Sequence, residues 1–332
     1  MGNLVNLEMA QLYERLFVNR RAYTLQSATP NPSGRHYYYR PQRQRSQPAL
    51  TLETIIQHLK GYLTLGLYAI NPETQKAKWA AVDADYTGSI LHLLQLQLEF
   101  SKDGVTAALE ASRRGGHLWM FGQEPLPARA WRLLILNAAK KLQIPVKGGI
   151  APNSAPASAF VVTKSGRLLD GIEVFPKQDN LDEGQFGNGL RGPLGVHRAN
   201  GRRYWFGAAQ KTVSAQLKYL HELPKISVTE IRQLTEDLSI PEDFLPPPRV
   251  PMPVVSSHGN GFRILEHVKV AFRMSGNYWG RCPSCAEAGR DKTGDNLAIQ
   301  IKDPRFYKCW AGCTRDMIRE ALGHPIREWK AS

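Results

Sequence analysis

The chain has 332 residues, with 43 Lys+Arg against 29 Asp+Glu, and a formal net charge of +14. That length suits one large or two modest domains, and a hydrophobic share of 42% is enough for a packed core. No apolar run approaches the ~20 residues of a membrane span, Glu8 and Glu14 interrupt any secretory signal, and four cysteines are too few for a disulfide scaffold. A cytoplasmic protein with no membrane partner is expected. The basic excess favours a polyanionic partner, nucleic acid first, against the plainer reading of a basic but ordinary enzyme.

Residues 1–30 read as a helix with a loose end, Leu4, Leu7, Leu12 and Leu16 marking its apolar face. Residues 31–48 read as a loop opened by Asn31-Pro32-Ser33-Gly34. It carries Arg35, Arg40, Arg43 and Arg45 beside Tyr37, Tyr38 and Tyr39. Rings that stack on bases and guanidiniums that pair with phosphate suit a single strand; a solvated loop is the competing reading. Thr51 to Leu63 is expected to be a helix capped by Thr51, and Leu65 to Ile70 a buried strand. Lys78 to Asp85 is a second strand, Ser89 to Phe100 a helix, and Val105 to Ala111 and His117 to Phe121 are further strands. Pro127 suits the first position of a helix whose stripe is Trp131, Leu134, Ile135, Ala138 and Leu142. Ile172 to Phe175 reads as a strand and Arg203 to Phe206 as a candidate one. Mixed helices and strands predict an α+β or α/β domain centred on a sheet.

Six prolines then fall within thirteen residues, from Pro241 to Pro253, followed by Ser256-Ser257-His258-Gly259-Asn260-Gly261. This predicts a linker over 236–260, between a domain at 1–235 and a C-terminal module at 261–332.

All four cysteines lie beyond that linker, as Cys282-x2-Cys285, twenty-three residues, Cys309-x3-Cys313. Two tight pairs joined by a hairpin-length segment build a four-thiolate structural zinc site. Asp295 to Lys302 and Arg305 to Lys308 offer the hairpin strands, and Thr314 caps a short helix with Ile318 and Leu322 inward and Gly323 at its end. Free buried thiols are the alternative, disfavoured because 281 residues without cysteine precede four in 32. The x3 spacing departs from the commonest knuckle and leaves His324 as a reserve ligand in place of Cys313.

In Trp79-Ala80-Ala81-Val82-Asp83-Ala84-Asp85, strand alternation puts Asp83 and Asp85 on one face, with Ala80, Val82 and Ala84 on the other. Two adjacent carboxylates stay ionised only with positive charge between them, and hard divalent cations meet that need. A solvent-dipping strand end is the alternative, and for this short motif alone it would prevail. Glu173 alternates with Ile172 and Val174 and is presented similarly, with Asp170 and Asp179 as rivals. Ser112-Arg113-Arg114-Gly115-Gly116-His117 joins two strands; glycines that allow close backbone approach beside two arginines make a credible triphosphate cradle. A structural histidine is the competing reading of His117.

These residues, in this order, resemble the archaeo-eukaryotic primase superfamily, and within it the primases of TOTE conflict systems and the CRISPR-associated primase-polymerases. The matching stretches are Leu50 to Ile70, Lys78 to Asp85, Glu110 to Phe121 and Gly171 to Leu194. The resemblance implies an α+β catalytic fold, an RRM-like antiparallel sheet plus an N-terminal α/β module. It implies that Asp83, Asp85 and Glu173 ligate two Mg²⁺ or Mn²⁺ ions. His117 would contact the nucleotide's phosphates, with Ser112, Arg113 and Lys177. Glu173 stands where many members have Asp, so Asp179 stays open, as does the choice among Ser112, Arg113 and Arg114. The cysteine segment, through Tyr307 to Cys313, resembles the zinc ribbon of bacterial and phage primases, which helps engage template DNA there. The implied activity is a DNA primase-polymerase using nucleoside triphosphates on single-stranded DNA, with a replicative helicase as a candidate partner. The alternatives are an end-extending repair or gap-filling polymerase, a non-catalytic zinc-bearing initiator protein, and, more weakly, a nuclease.

Overall fold

The computed structural model describes residues 5–31, 34–41, 48–151, 161–162, 167–182, 185–207, 209–245, 262–274, 276–289, 291 and 294–324. Arg43, Arg45 and the proline-rich stretch from 246 to 261 lie outside the described residues. The chain divides into two compact units, Met1–Pro248 and Arg249–Ser332.

The first unit opens with α1 (Leu7–Phe17), whose Asn6 side chain accepts from the Met9 N–H. Its buried face is Ala10, Tyr13, Leu16 and Phe17, with Leu12 packed beside it; of the leucine stripe expected from the sequence, Leu7 is exposed and Leu4 is outside the described residues. Two aromatics carry more apolar area than the leucines they displace. The expected helix over 1–30 also stops early. The chain turns into β1 (Tyr23–Gln26), which pairs with a two-residue β2 (Tyr38–Tyr39) inside the expected loop. α2 (Leu52–Lys60) is capped by Thr51 and ended by Gly61, and β3 (Leu65–Tyr68) pairs with β1.

The central part follows as β4 (Lys76–Ala84), α3 (Ser89–Lys102), β5 (Ala107–Ala111), β6 (Gly116–Pro127), α4 (Ala128–Lys141) and β7 (Glu173–Phe175). Pro127 therefore ends β6 and precedes α4 rather than starting it. The strand order β5-β6-β4-β7 is wholly antiparallel. A β-α-β-β-α-β chain with that order is the ferredoxin-like arrangement that RRM domains share. β8 (Gly189–Arg191), which the sequence does not announce, completes the first sheet in the order β2-β1-β3-β8. β9 (Val196–His197) and β10 (Arg202–Arg203) form a small ribbon. Of the candidate strand 203–206, Phe206 keeps one bridge, to Glu110. α5 (Val213–Glu222) and α6 (Val228–Thr235) close the unit, and Ile240 and Phe244 still pack on its core.

The β5-β6-β4-β7 sheet is covered on both faces. Ala80, Val82, Ala84, Leu118 and Met120 pack against α3 and α4 with Leu93, Leu96, Trp131 and Ile135. Trp79, Ala81, Ala108, Trp119 and Phe175 pack the other way with Tyr13, Phe17, Ile55, Leu59 and Leu67 of the N-terminal layer. The acids lie on this second face, so they open into the seam between the sheets. Trp131 anchors the first core: it is fully buried and its indole N–H donates to the Ala77 carbonyl, 3.2 Å. Trp131→Ala is expected to cost ~3–5 kcal/mol of stability in urea unfolding.

The second unit is a four-stranded antiparallel sheet, where the sequence suggests only a hairpin. Its strands are β11 (Val270–Met274), β12 (Asn277–Gly280), β13 (Leu297–Gln300) and β14 (Tyr307–Cys309), adjacent in chain order. Two short helices, α7 (Pro283–Glu287) and α8 (Arg315–Ala321), complete it, α8 capped by Thr314 as expected.

Candidate active site

Antiparallel register builds the site. Glu110 of β5 sits opposite His117 of β6, His117 opposite Asp83 of β4, and Asp83 opposite Glu173 of β7. Directly opposed residues share a face, so four ionisable side chains form one row across four strands. Asp85 follows one step past β4 on the same face. The turn Ser112–Gly115 joins β5 to β6: the Ser112 N–H donates to the Gly115 carbonyl, 2.9 Å, and the Gly115 N–H to the Ser112 hydroxyl, 3.2 Å. A Cβ on Gly115 would lie 1.9 Å from the Ala84 carbonyl oxygen, so the approach of this turn to β4 requires glycine.

One cleft is lined by Asp83, Asp85, Ser112, Arg113, Arg114, His117, Glu173 and Lys177. The structure thus gathers these eight candidates named from the sequence, but not the rivals Asp170 and Asp179. Asp179 is held elsewhere, by Arg129 and Arg132 of α4 at 2.7 and 2.6 Å. Asp170 lines an adjoining cleft with Asp83, Asp85, Lys147 and Glu173. Glu173 is the candidate that lies directly opposite Asp83.

Cations already lean on these acids. The Arg114 guanidinium donates to Asp85 at 2.7 Å and the Ser112 hydroxyl at 3.2 Å. Burial works to raise the Asp85 pKa, but Arg114 and Ser112 outweigh it and hold the carboxyl below its ordinary range. Lys147 and Lys177 both pair with Glu173 and do the same there, against the same opposing effect of burial. Ser112 and Arg114 are thereby engaged with an acid, whereas Arg113 pairs with no carboxylate among the described residues. Burial alone would lower the His117 pKa; Glu110 and Asp83 reverse this and lift it to about 9.

Asp83 is the exception. Its Oδ1 is buried and has no hydrogen-bond partner among the described residues, although His117 Nε2 stands 3.4 Å away. A buried carboxylate oxygen left without a donor is costly, and a cation at the seam removes the cost. With Asp85 and Glu173 beside it, the oxygen-only donor set fits a hard divalent ion.

Several lining residues were not legible as site residues in the sequence. Gln26, Tyr38, Arg191 and His197 come from the N-terminal layer and the ribbon and form the opposite wall. Burial pushes the His197 pKa down to about 4, helped by Arg191 and Arg113, so its ring is neutral at pH 7. Glu110 lies behind the cleft. A four-residue turn at 112–115 sets Glu110 opposite His117, which is the one signal that hairpin arithmetic offers.

In the second unit, Cys282, Cys285, Cys309 and Cys313 bring their sulfurs within 4.8 Å of one another. Cys285 Sγ lies 3.5 Å from Cys309 Sγ and 3.3 Å from Cys313 Sγ, close to the ~3.8 Å edge of a tetrahedron with ~2.3 Å metal–sulfur bonds. The longer x3 knuckle closes because Gly312 takes φ 90°, where other residues are strained. The buried Asp291 carboxylate accepts from the Cys282 N–H at 2.6 Å and the Gly294 N–H at 2.8 Å, which shapes the other knuckle. His324 stacks against His267 and Phe262 and is not part of the cluster. The cluster can hold one metal ion of the tetrahedral, thiolate-binding kind.

No helix among the described residues is long and apolar enough to cross a membrane. No curated protein matches the chain by sequence. Among solved structures, the chain overlaps the polymerase domain from Mycobacterium tuberculosis Ligase D in complex with DNA, over 70% of this chain and 92% of that one. The identity is 13% and the TM-score 0.29, a similarity too slight to carry an argument. Residues 17–147 match the family described as the archaeo-eukaryotic primase domain of TOTE conflict systems. That stretch includes Asp83, Asp85 and the 112–117 element; Glu173, Lys177 and the cysteines lie beyond it. Over residues 17–147 the chain is similar to the archaeo-eukaryotic primase domains of TOTE conflict systems.

Proposed function

We propose that this chain is a template-directed primase-polymerase that joins nucleoside triphosphates on single-stranded DNA. The observation that carries the reading is the row His117–Asp83–Glu173 at the mouth of the seam, with a buried Asp83 oxygen lacking a donor. Asp83, Asp85 and Glu173 would hold Mg²⁺ or Mn²⁺. Such ions activate the attacking 3′-hydroxyl and neutralise charge on the departing pyrophosphate. Lys147 and Lys177, now paired with Glu173, and the unpaired Arg113 are the charges available to the triphosphate oxygens. His117 presents Nε2 to the same space. These groups bind and orient the triphosphate, which is most of what a protein contributes to such a transfer. Cys282, Cys285, Cys309 and Cys313 would hold a structural zinc.

Two surfaces support a single-stranded partner. Tyr37 and Tyr39 are exposed beside the cleft residue Tyr38, their rings 6.1 Å apart. In the second unit, Phe272, Trp279 and Trp310 form a near-parallel series at 6.2 Å steps, with Lys308 over Trp310. Exposed rings flanked by cations are what bases stack on and phosphates pair with.

The test is incubation with unprimed single-stranded circular DNA, labelled nucleotides and Mg²⁺ or Mn²⁺. Products are expected. Extension of an annealed primer without de novo synthesis would make the chain a gap-filling polymerase. Silence in both assays would leave a zinc-bearing binding protein.

A further inference from the structure

We infer that Glu110 is a positioning residue of this site, acting through His117; the inference rests on the reading of the cleft proposed above. Glu110 is fully buried and takes no part in the cleft lining, yet both its oxygens are engaged. Oε1 accepts from Arg191 Nη2 at 2.8 Å, and Oε2 accepts from the Trp119 indole N–H at 3.1 Å and from His117 Nδ1 at 2.7 Å. A carboxylate paired with a guanidinium and accepting from an indole has no proton to give. The hydrogen in the His117 contact therefore sits on Nδ1. This fixes the ring: Nδ1 is turned into the core and Nε2 toward Asp83 and the cleft. A ring flipped by half a turn would set a carbon against the carboxylate and lose the bond.

Packing alone does not account for this arrangement. A buried ion pair is costly to desolvate, and apolar replacements of similar volume are often as stable. Here the pair also spans two sheets, since Glu110 is on β5 and Arg191 on β8. Arg191 compensates the carboxylate, the carboxylate orients the imidazole, and the imidazole faces the reacting groups. Orienting partners of this kind are worth ~10–100-fold to the groups they hold.

Glu110→Gln keeps the shape, but its single carbonyl can serve Arg191 or His117, not both. The prediction is that Glu110→Gln weakens nucleoside triphosphate binding about tenfold, measured by titration of a fluorescent nucleotide. KM should rise in parallel, with kcat changed less. Where the unpaired Arg191 prevents folding, Glu110→Asp, which keeps the charge for Arg191 but is one methylene too short to hold His117 Nδ1 as well, is measured instead. The deciding comparison is a cycle with His117→Ala, since residues acting in series are not additive. In the His117→Ala background, either Glu110 variant is expected to cause no further loss. Wild-type binding by a folded variant, or a loss that adds in full to that of His117→Ala, overturns the positioning role. If wild type itself binds no nucleoside triphosphate, the reading of the cleft fails and takes this inference with it.

Discussion

Asp83→Ala and Asp85→Ala are each expected to abolish nucleotide incorporation while the chain stays folded. The two halves of this expectation come from different observations. On the proposed reading, activity depends on the carboxylates as the oxygen donors at the centre of the row. Losing a divalent ion's ligand removes several kcal/mol of charge stabilisation, which is about a thousandfold or more in rate. Stability does not depend on Asp83 in the same way, because its Oδ1 is buried with no donor among the described residues. Deleting it removes a poorly satisfied buried oxygen, which offsets the loss of its 3.4 Å contact with His117. Asp85 is more exposed and is tied to Arg114 at the surface, a kind of pair worth little to folding. Thermal melts of both variants should stay near wild type. Mn²⁺ binding, followed by electron paramagnetic resonance, should weaken in both. Full incorporation by either folded variant would remove the metal assignment from these residues.

Much of this site was legible because it is built from strand alternation, which a sequence displays directly. Asp83 and Asp85 flank one alanine, and Ala80, Val82 and Ala84 mark the opposite face, so their common orientation follows from pleat geometry alone. The glycine turn before His117 and the cysteine spacing are equally local. Other features were hidden because they depend on which strands meet. β8 is three residues with a glycine and an arginine, a poor strand by composition, yet it delivers Arg191 to Glu110. Tyr38 reads as part of an arginine-rich loop until β1 pairs with it. In α1, counting leucines missed Tyr13 and Phe17, which are fully buried. The seam between two sheets is a tertiary product, and the residues on its far wall carry no local signature.

Removing the metal from the second unit should unfold that unit and leave the first intact. The core there is small: Ile264, Leu297, Ile299 and Ile318 are its buried aliphatics, and Cys282, Cys285 and Cys309 fill the rest. So few apolar side chains do not offset the chain entropy of a unit this size. Without a cation, the cluster also sets four thiols against one another where four bonds should be. Structural zinc contributes about 10–16 kcal/mol in small modules, more than the folding free energy of most domains. The first unit has two large cores of its own and should keep its melting transition. Purified protein is therefore expected to carry about one zinc per chain. Cys282→Ser should lose it, and chelation should raise hydrogen exchange across β11 to β14 while β4 and β6 stay protected. Protein purified without zinc, or a second unit whose amides stay protected under chelation, would mean that the four sulfurs meet for another reason. Because Phe272 and Trp279 are held on these strands and Trp310 follows β14 directly, single-strand binding by the second unit should disappear with the metal. Incorporation on a pre-annealed primer, which needs only the first unit's cleft, should survive its loss.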